Sequence, residues 1–337
     1  MTRVVYTDPM WALGSPGGPE EVGALEREVL GDGTELVLGV RENGGFAKDG
    51  PALHATLAGA DAVVVYRARV DEELLAAAGP GCRVVARQGV GIDNLDLEAL
   101  RSRSIFSFHV PDYCIDEVVA HTLAFALALE RRVCVQDRLV KEDRWDIFAG
   151  GVPRRLAELT FGIVGFGRIG RATAARARAL FGRVVCCDPN VPADVAAGYG
   201  ATHLGSVAEL FAAADVVVLH ADLNPTSRDL VDAEALAHAR PGTMLVNTAR
   251  GALVDTAAVL AALEEGRLGG FAADVFSPED PNRDPVNRAL LERPDVVVSS
   301  HRAFLSESSD LALRRRTAAE VAHVLRTGEP PRTGRLT

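Results

Sequence analysis

Residues 159–188, LTFGIVGFGRIGRATAARARALFGRVVCCD, join a glycine spacing to a terminal acid in a way that suits a dinucleotide. An apolar strand runs into Gly165-x-Gly167-x-x-Gly170, a helix follows, and a second strand ends at Asp188. Gly165 permits a tight turn, Gly167 lets backbone N–H groups approach a pyrophosphate, and Gly170 lets the helix lie close to the strand. The partial positive charge of the helix N-terminus, where Arg168 and Ile169 stand, favours phosphate. Asp188 is placed to accept hydrogen bonds from both adenosine ribose hydroxyls. It would repel a 2′-phosphate, and Pro189-Asn190 brings no arginine to receive one, so the cofactor expected is NAD.

Redox chemistry on a small oxo acid needs three further things: a cation for the carboxylate and carbonyl, a proton carrier, and a group that orients the carrier. Three segments offer them. Asn247-Thr248-Ala249-Arg250-Gly251 follows the apolar run Met244-Leu245-Val246, and the planar fork of Arg250 fits a carboxylate. Asp274-Val275-Phe276-Ser277-Pro278-Glu279 follows the next strand, and Val296-Val297-Val298-Ser299-Ser300-His301 ends another. All three belong at the carboxyl edge of one sheet, where open α/β sheets bind their ligands.

The elements that must position these residues are legible from periodicity. Short apolar strands at 4–7, 35–40, 61–66 and 83–86 alternate with helical segments such as 20–30 and 71–78, the grammar of a parallel sheet. A long helix is expected over 113–132, as a hinge between halves. Strands at 160–164, 183–188, 216–220, 244–247, 270–274 and 296–299 then alternate with helices at 169–180, 206–213, 232–237 and 256–265. A last helix over 306–326 is best placed back on the first half. The fold class is therefore α/β: two Rossmann/flavodoxin-like parallel-sheet domains with an interdomain cleft. The expected boundaries are 1–112 plus 303–337 for a discontinuous substrate-binding domain and 113–302 for the NAD-binding domain.

Composition narrows the function classes. With 337 residues, 48% hydrophobic and 24% charged, the chain has material for about two cores and is not a disordered protein. A formal charge of −10 argues against a nucleic-acid surface. The N-terminus lacks the long apolar region of a signal peptide, and the stretch 118–129 is too short to span a bilayer, so a cytoplasmic protein without a membrane partner is expected. Cys82, Cys114, Cys134, Cys186 and Cys187 show no metal-ligand spacing and read as reduced core thiols; no metal is expected.

Taken together, these motifs resemble the D-isomer-specific 2-hydroxyacid dehydrogenases over nearly the whole chain. The resemblance implies hydride transfer between nicotinamide C4 and C2 of a small 2-hydroxy or 2-oxo acid. Arg250 resembles the substrate-binding arginine, Glu279 the glutamate that pairs with the histidine, and His301 the general acid/base. Arg87-Gln88-Gly89-Val90-Gly91-Ile92-Asp93-Asn94 resembles the loop whose Val90 and Gly91 N–H groups hold the substrate carboxylate. Asn224 and Thr226 sit in a segment similar to the loop beside the cofactor, Asp274 resembles the aspartate that contacts the nicotinamide amide, and Thr122, Thr248 and Ala249 are placed like further cofactor contacts. A homodimer is implied as well. By charge, Glu279 should stabilise the imidazolium, so that reduction falls off at alkaline pH.

Some departures bear on substrate. Ser299-Ser300 stand where the family often has Thr-Pro, and Arg302-Ala303-Phe304 where small residues are common. Formate-acting members replace the histidine's acid with an amide, and phosphite-oxidising members carry lysine at the place of Val90, so both substrates are disfavoured. Arg67, Arg87 and Arg302 leave room for a phosphono-type acid. The substrate side-chain pocket has Trp11, Tyr66, Arg67, Tyr113 and Trp145 as candidates. The loops GVGIDN, VPDYCIDEV and LHADLN are also similar to the C-terminal-binding-protein corepressors, which makes an NAD(H)-sensing interaction module the rival reading.

Overall fold

The computed structural model describes residues 1–13 and 21–337, which divide into two compact units, 1–113 with 306–337, and 114–305. The first holds strands β1 (Thr2–Tyr6), β2 (Thr34–Leu38), a two-residue antiparallel hairpin of β3 (Arg41–Glu42) and β4 (Gly45–Phe46), then β5 (Ala62–Val65), β6 (Val84–Arg87) and β7 (Phe106–His109). Its sheet runs β2-β1-β5-β6-β7, parallel throughout. Successive strand residues face opposite sides, and both sides are covered, which is why the central strand β5, Ala-Val-Val-Val, is wholly apolar. Val5, Val63, Val65 and Val85 pack under the helices Pro51–Leu57, Glu72–Ala78 and Leu97–Ser102 through Leu53, Leu57, Leu74, Leu75 and Leu100. Val4, Tyr6, Val64, Val84 and Phe108 face the other way, onto Leu30 and onto Ala318, Val321, Ala322 and Val324 of the helix Glu307–Thr327.

That last helix is well delimited. Ser306 caps it in a reciprocal box with Ser309, and Gly328 ends it in the left-handed region at φ +71°. It is tied to the helix Ala24–Leu30 by Arg314, which donates to both carboxylate oxygens of the fully buried Glu26 at 2.7 and 2.8 Å and lies 4.1 Å over the Trp11 ring. The helix expected over 20–30 thus begins at Ala24; Glu20 lies outside the described residues.

The second unit opens with the helix Ile115–Glu130 and builds a seven-stranded parallel sheet from β8 (Thr160–Val164), β9 (Arg183–Cys187), β10 (Thr202–His203), β11 (Val216–Leu219), β12 (Thr243–Asn247), β13 (Leu268–Ala273) and β14 (Val296–Val298). The order is β10-β9-β8-β11-β12-β13-β14. Val216 and Val218 of β11 face one core with Phe161, Ile163 and Phe125, whereas Val217 and Leu219 face another with Val164, Leu245 and Phe271. The α/β class and the parallel sheets are as the sequence led us to expect. The strands missed were β7, whose Phe-Ser-Phe-His has no β-branched residue, the short hairpin, and the two-residue edge strand β10. One further reading is corrected: Cys82, Cys114, Cys186 and Cys187 are buried, but Cys134 is exposed on the helix Val133–Lys141 and is no core thiol.

Candidate active site

The glycine turn after β8 is built by close approach of backbone to backbone. Gly165 has φ +88°, and a Cβ there would lie 2.5 Å from the Ala221 nitrogen. At Gly170 a Cβ would lie 2.3 Å from the Gly165 carbonyl oxygen, so the helix Arg168–Ala177 can sit on the turn only without a side chain at that position. Gly167, the N-cap, differs: a Cβ there would meet no described atom within 4 Å, leaving the helix N-terminus open on that side. Asp188 follows β9 and accepts from the Phe166 N–H at 2.7 Å with Oδ2 and from the Asn190 N–H at 2.9 Å with Oδ1. It thereby stitches the end of β9 to the glycine turn. These residues fit a dinucleotide: an open helix start for phosphate and a half-buried carboxylate beside it.

Beneath the turn, His220 is half-buried with Nε2 2.9 Å from the Thr173 hydroxyl, and desolvation of the ring pushes its pKa down to about 3. It is a neutral structural histidine. Burial also raises the Cys187 thiol and pushes Cys186 up to about 12, so neither is a thiolate at neutral pH. Asn224 accepts from the Thr226 N–H at 2.9 Å and from its hydroxyl at 2.7 Å, the hydrogen bonds of a loop cap. Thr122 is fully buried, bonded to the Val118 carbonyl and, at 2.8 Å, to the Thr248 hydroxyl, so it supports the turn after β12.

Across β12, β13 and β14 the register aligns Asn247 with Ala273 and Ala273 with Val298, so the three following turns emerge side by side. Asn247 shapes the first: its Oδ1 accepts from the Ala249 N–H at 3.0 Å and its Nδ2 donates to the Arg250 carbonyl at 2.9 Å. A Cβ on Gly251 would lie 2.1 Å from the Phe276 carbonyl carbon, so this glycine lets the Arg250 turn abut the loop that leads to Glu279. The Arg250 guanidinium is half-buried and donates to the Ala249 carbonyl at 2.8 Å.

The third turn carries His301, whose Nδ1 lies 2.6 Å from Glu279 Oε1. His301 occupies the left-handed region at φ +54°, a conformation that costs a non-glycine residue about 1–3 kcal/mol unless its surroundings hold it. Asp274 holds it. The His301 N–H donates to the Asp274 carbonyl at 2.7 Å, and the Asp274 carboxylate accepts from the Arg302 N–H at 2.9 Å and the Ala303 N–H at 2.8 Å. The Ser299 hydroxyl donates to the same carboxylate, and His121 Nε2 lies 2.9 Å from that hydroxyl. The sequence marked Ser299 only as a departure from the family pattern and gave no sign of its link to His121, since 178 positions separate them and no motif joins them. Phe304 sets its ring edge-on to His301, 6.4 Å between centroids.

In the first unit, the loop after β6 places Val90 and Gly91 half-buried, with the His109 Nδ1–H donating to the Val90 carbonyl at 2.6 Å. Both guanidiniums of Arg67 and Arg87 lie 5.4 Å from the Tyr66 ring centroid. The turn carrying Tyr66 and Arg67 is shaped by Asp8, another residue the motifs do not reveal. Its buried carboxylate accepts from the Tyr66 N–H at 2.8 Å and the Ala68 N–H at 3.0 Å. Trp145 belongs to the second unit and is 86% exposed.

Residues 123–303 match the family model described as D-isomer specific 2-hydroxyacid dehydrogenase, NAD binding domain. The chain belongs to this family, and NAD is its cofactor. Among its relatives is the D-3-phosphoglycerate dehydrogenase of Mycobacterium tuberculosis H37Rv, 38% identical over 271 residues that make up 78% of this chain and 50% of that protein. Another, the (S)-sulfolactate dehydrogenase of Chromohalobacter salexigens, is 38% identical over 248 residues, 72% of this chain and 80% of that one. The D-lactate dehydrogenase of Aquifex aeolicus, solved with NAD and lactic acid, has a TM-score of 0.82 at 25% identity, covering 97% of this chain and 96% of that structure. The chain spans about half the length of the phosphoglycerate dehydrogenases it matches. Among the described residues no helix is long and apolar enough to cross a membrane.

Proposed function

We propose that the protein is an NAD-dependent oxidoreductase acting at C2 of a small D-2-hydroxy or 2-oxo acid. The observation that carries this reading is the 2.6 Å bond between His301 Nδ1 and Glu279 at the carboxyl edge of the NAD-binding sheet. With Nδ1–H donated to the carboxylate, Nε2 is left to give a proton to the oxo oxygen, or to take one from the hydroxyl. Arg250 binds the substrate carboxylate and polarises the carbonyl, and the Val90 and Gly91 N–H groups are further donors to that carboxylate. Bound NAD supplies or accepts the hydride at its nicotinamide C4. Gly165, Gly167, Arg168, Ile169 and Gly170 receive its phosphates, Asp188 its ribose, and Asn224, Thr226, Thr248, Ala249 and Asp274 border it, with Thr122 acting through Thr248.

The substrate is a phosphono-type or similarly doubly charged acid in a second reading, which the paired guanidiniums of Arg67 and Arg87 on Tyr66 support. We further read the protein as a cytoplasmic homodimer. The exposed apolar side chains of Trp145, Ile147, Phe148 and Val152 support an interface on the second unit. The test follows NADH absorbance across a panel of 2-oxo acids, with and without a second anionic group, using the wild type and His301→Asn. Turnover that His301→Asn abolishes is expected. NADH binding and a changed assembly state without turnover of any acid would replace the enzyme with a cofactor-sensing interaction module.

A further inference from the structure

The turn presenting His301 is hung on a single buried carboxylate, and that carboxylate is itself held from the side by two residues to which no role has been given. Asp274 has a side chain only 1% exposed. Its Oδ1 takes the Arg302 N–H and the Ser299 hydroxyl, and its Oδ2 takes the Ala303 N–H. A serine hydroxyl has one proton, and Ser299 spends it on Asp274, so the 2.9 Å bond to His121 must run from Nε2–H of the imidazole to the Ser299 oxygen. The result is a directed chain, His121 Nε2–H to Ser299 O–H to Asp274, ending on the two amides that follow His301.

The imidazole at the head of the chain is itself fixed. It comes from the helix Ile115–Glu130 and packs edge-on against Phe125 with centroids 4.5 Å apart. The charged groups facing it are Asp274 Oδ1, 3.9 Å from Nε2, and Arg302. Burial and Arg302 lower its pKa against the pull of Asp274, so it is a neutral donor at pH 7. A buried carboxylate that loses one donor rotates toward those that remain. Here the remaining donors are the Arg302 and Ala303 amides, so any such rotation moves the backbone on which His301 stands.

We infer that His121 and Ser299 are positioning residues, which set the direction of the His301 imidazole through Asp274. This rests on the function proposed above for His301, but not on which acid is turned over. The test uses the full-length protein with NADH. Ser299→Ala removes the link, Ser299→Thr restores a hydroxyl, and His121→Phe removes the donor at the head of the chain. With the best 2-oxo acid, Ser299→Ala and His121→Phe should lower kcat on the order of tenfold to a hundredfold, the effect of a displaced catalytic group, with KM for NADH within about twofold. Ser299→Thr should recover most of kcat.

The second readout needs no turnover. The His301 ring resonances, identified by their loss in His301→Asn, should move at neutral pH in Ser299→Ala and return in Ser299→Thr. The inference is overturned if the ring resonances stay in place in Ser299→Ala, or if kcat falls no further than the fraction of folded protein. It is equally overturned if Ser299→Thr behaves like Ser299→Ala in a protein of wild-type melting temperature. Absence of turnover in the wild type would dismiss the enzymatic reading while leaving the resonance test to decide this one.

Discussion

The glycine turn at 165–170 and the histidine turn at 299–303 are both sharp bends at the carboxyl edge of the same sheet, yet they are held by opposite means. In the first, backbone meets backbone, and the sequence answers with glycine because any Cβ at 165 or 170 would lie within 2.5 Å of main-chain atoms. In the second, a bulky residue takes the left-handed conformation, and Asp274 answers with a buried carboxylate that accepts three hydrogen bonds and a carbonyl that accepts a fourth. A turn that only receives a ligand can be built by omission. A turn that must aim a side chain has to be built by attachment, and its supports can come from anywhere in the sequence.

The comparison can be broken most directly at His301. In His301→Asn, kcat should drop by about 10²–10⁴-fold, the usual share of a general acid/base, while NADH affinity measured by fluorescence stays near wild type. A fall in NADH affinity of the same size would show that the two turns are not separable. Next in size is Gly165→Ala, which combines a strained φ with overpacking against Ala221. It should cost about 3 kcal/mol in denaturant unfolding and abolish NADH binding. Retention of both would mean that the turn yields more easily than its geometry implies.

Glu279→Gln exchanges a charge-assisted hydrogen bond for a neutral one, worth about 1.4 kcal/mol or tenfold in kcat/KM. Steady-state kinetics on wild type and variant check this, and an unchanged kcat/KM would uncouple the pair. Under the glycine turn, His220 sharpens the contrast from the other side. Its folded pKa of about 3 lies below the ordinary 6.5, so between these values the unfolded chain takes up a proton that the folded one excludes. Stability should therefore fall as pH drops through that window, by up to about 1.4 kcal/mol per unit, and His220→Phe should flatten the slope of melting temperature against pH.

The same contrast explains how much could be read from the sequence. Strands such as Phe161–Val164 and Val216–Leu219 were legible because both faces of each are buried, which admits only apolar residues and glycine. The glycine turn was legible because close approach of main chains leaves only one residue type. Glu279 and His301 were placed by resemblance to a family, and their bond was then visible in the structure. His121, Ser299 and Asp8 were not legible. Each is a single polar residue whose partner stands far along the chain, and its identity is fixed by geometry that no local pattern encodes. β7 escaped for a related reason, since Phe-Ser-Phe-His becomes a strand only through its pairing with β6.

The Glu26–Arg314 pair and the helix around it have a consequence for synthesis on the ribosome. Residues 114–305 form a unit from one continuous stretch and can complete it as soon as they emerge. The sheet begun by β1 has to wait, with Val4, Tyr6, Val64 and Val84 bare on one flank, until the helix Glu307–Thr327, which follows that unit in the sequence, is made. The half made first is thus the half completed last.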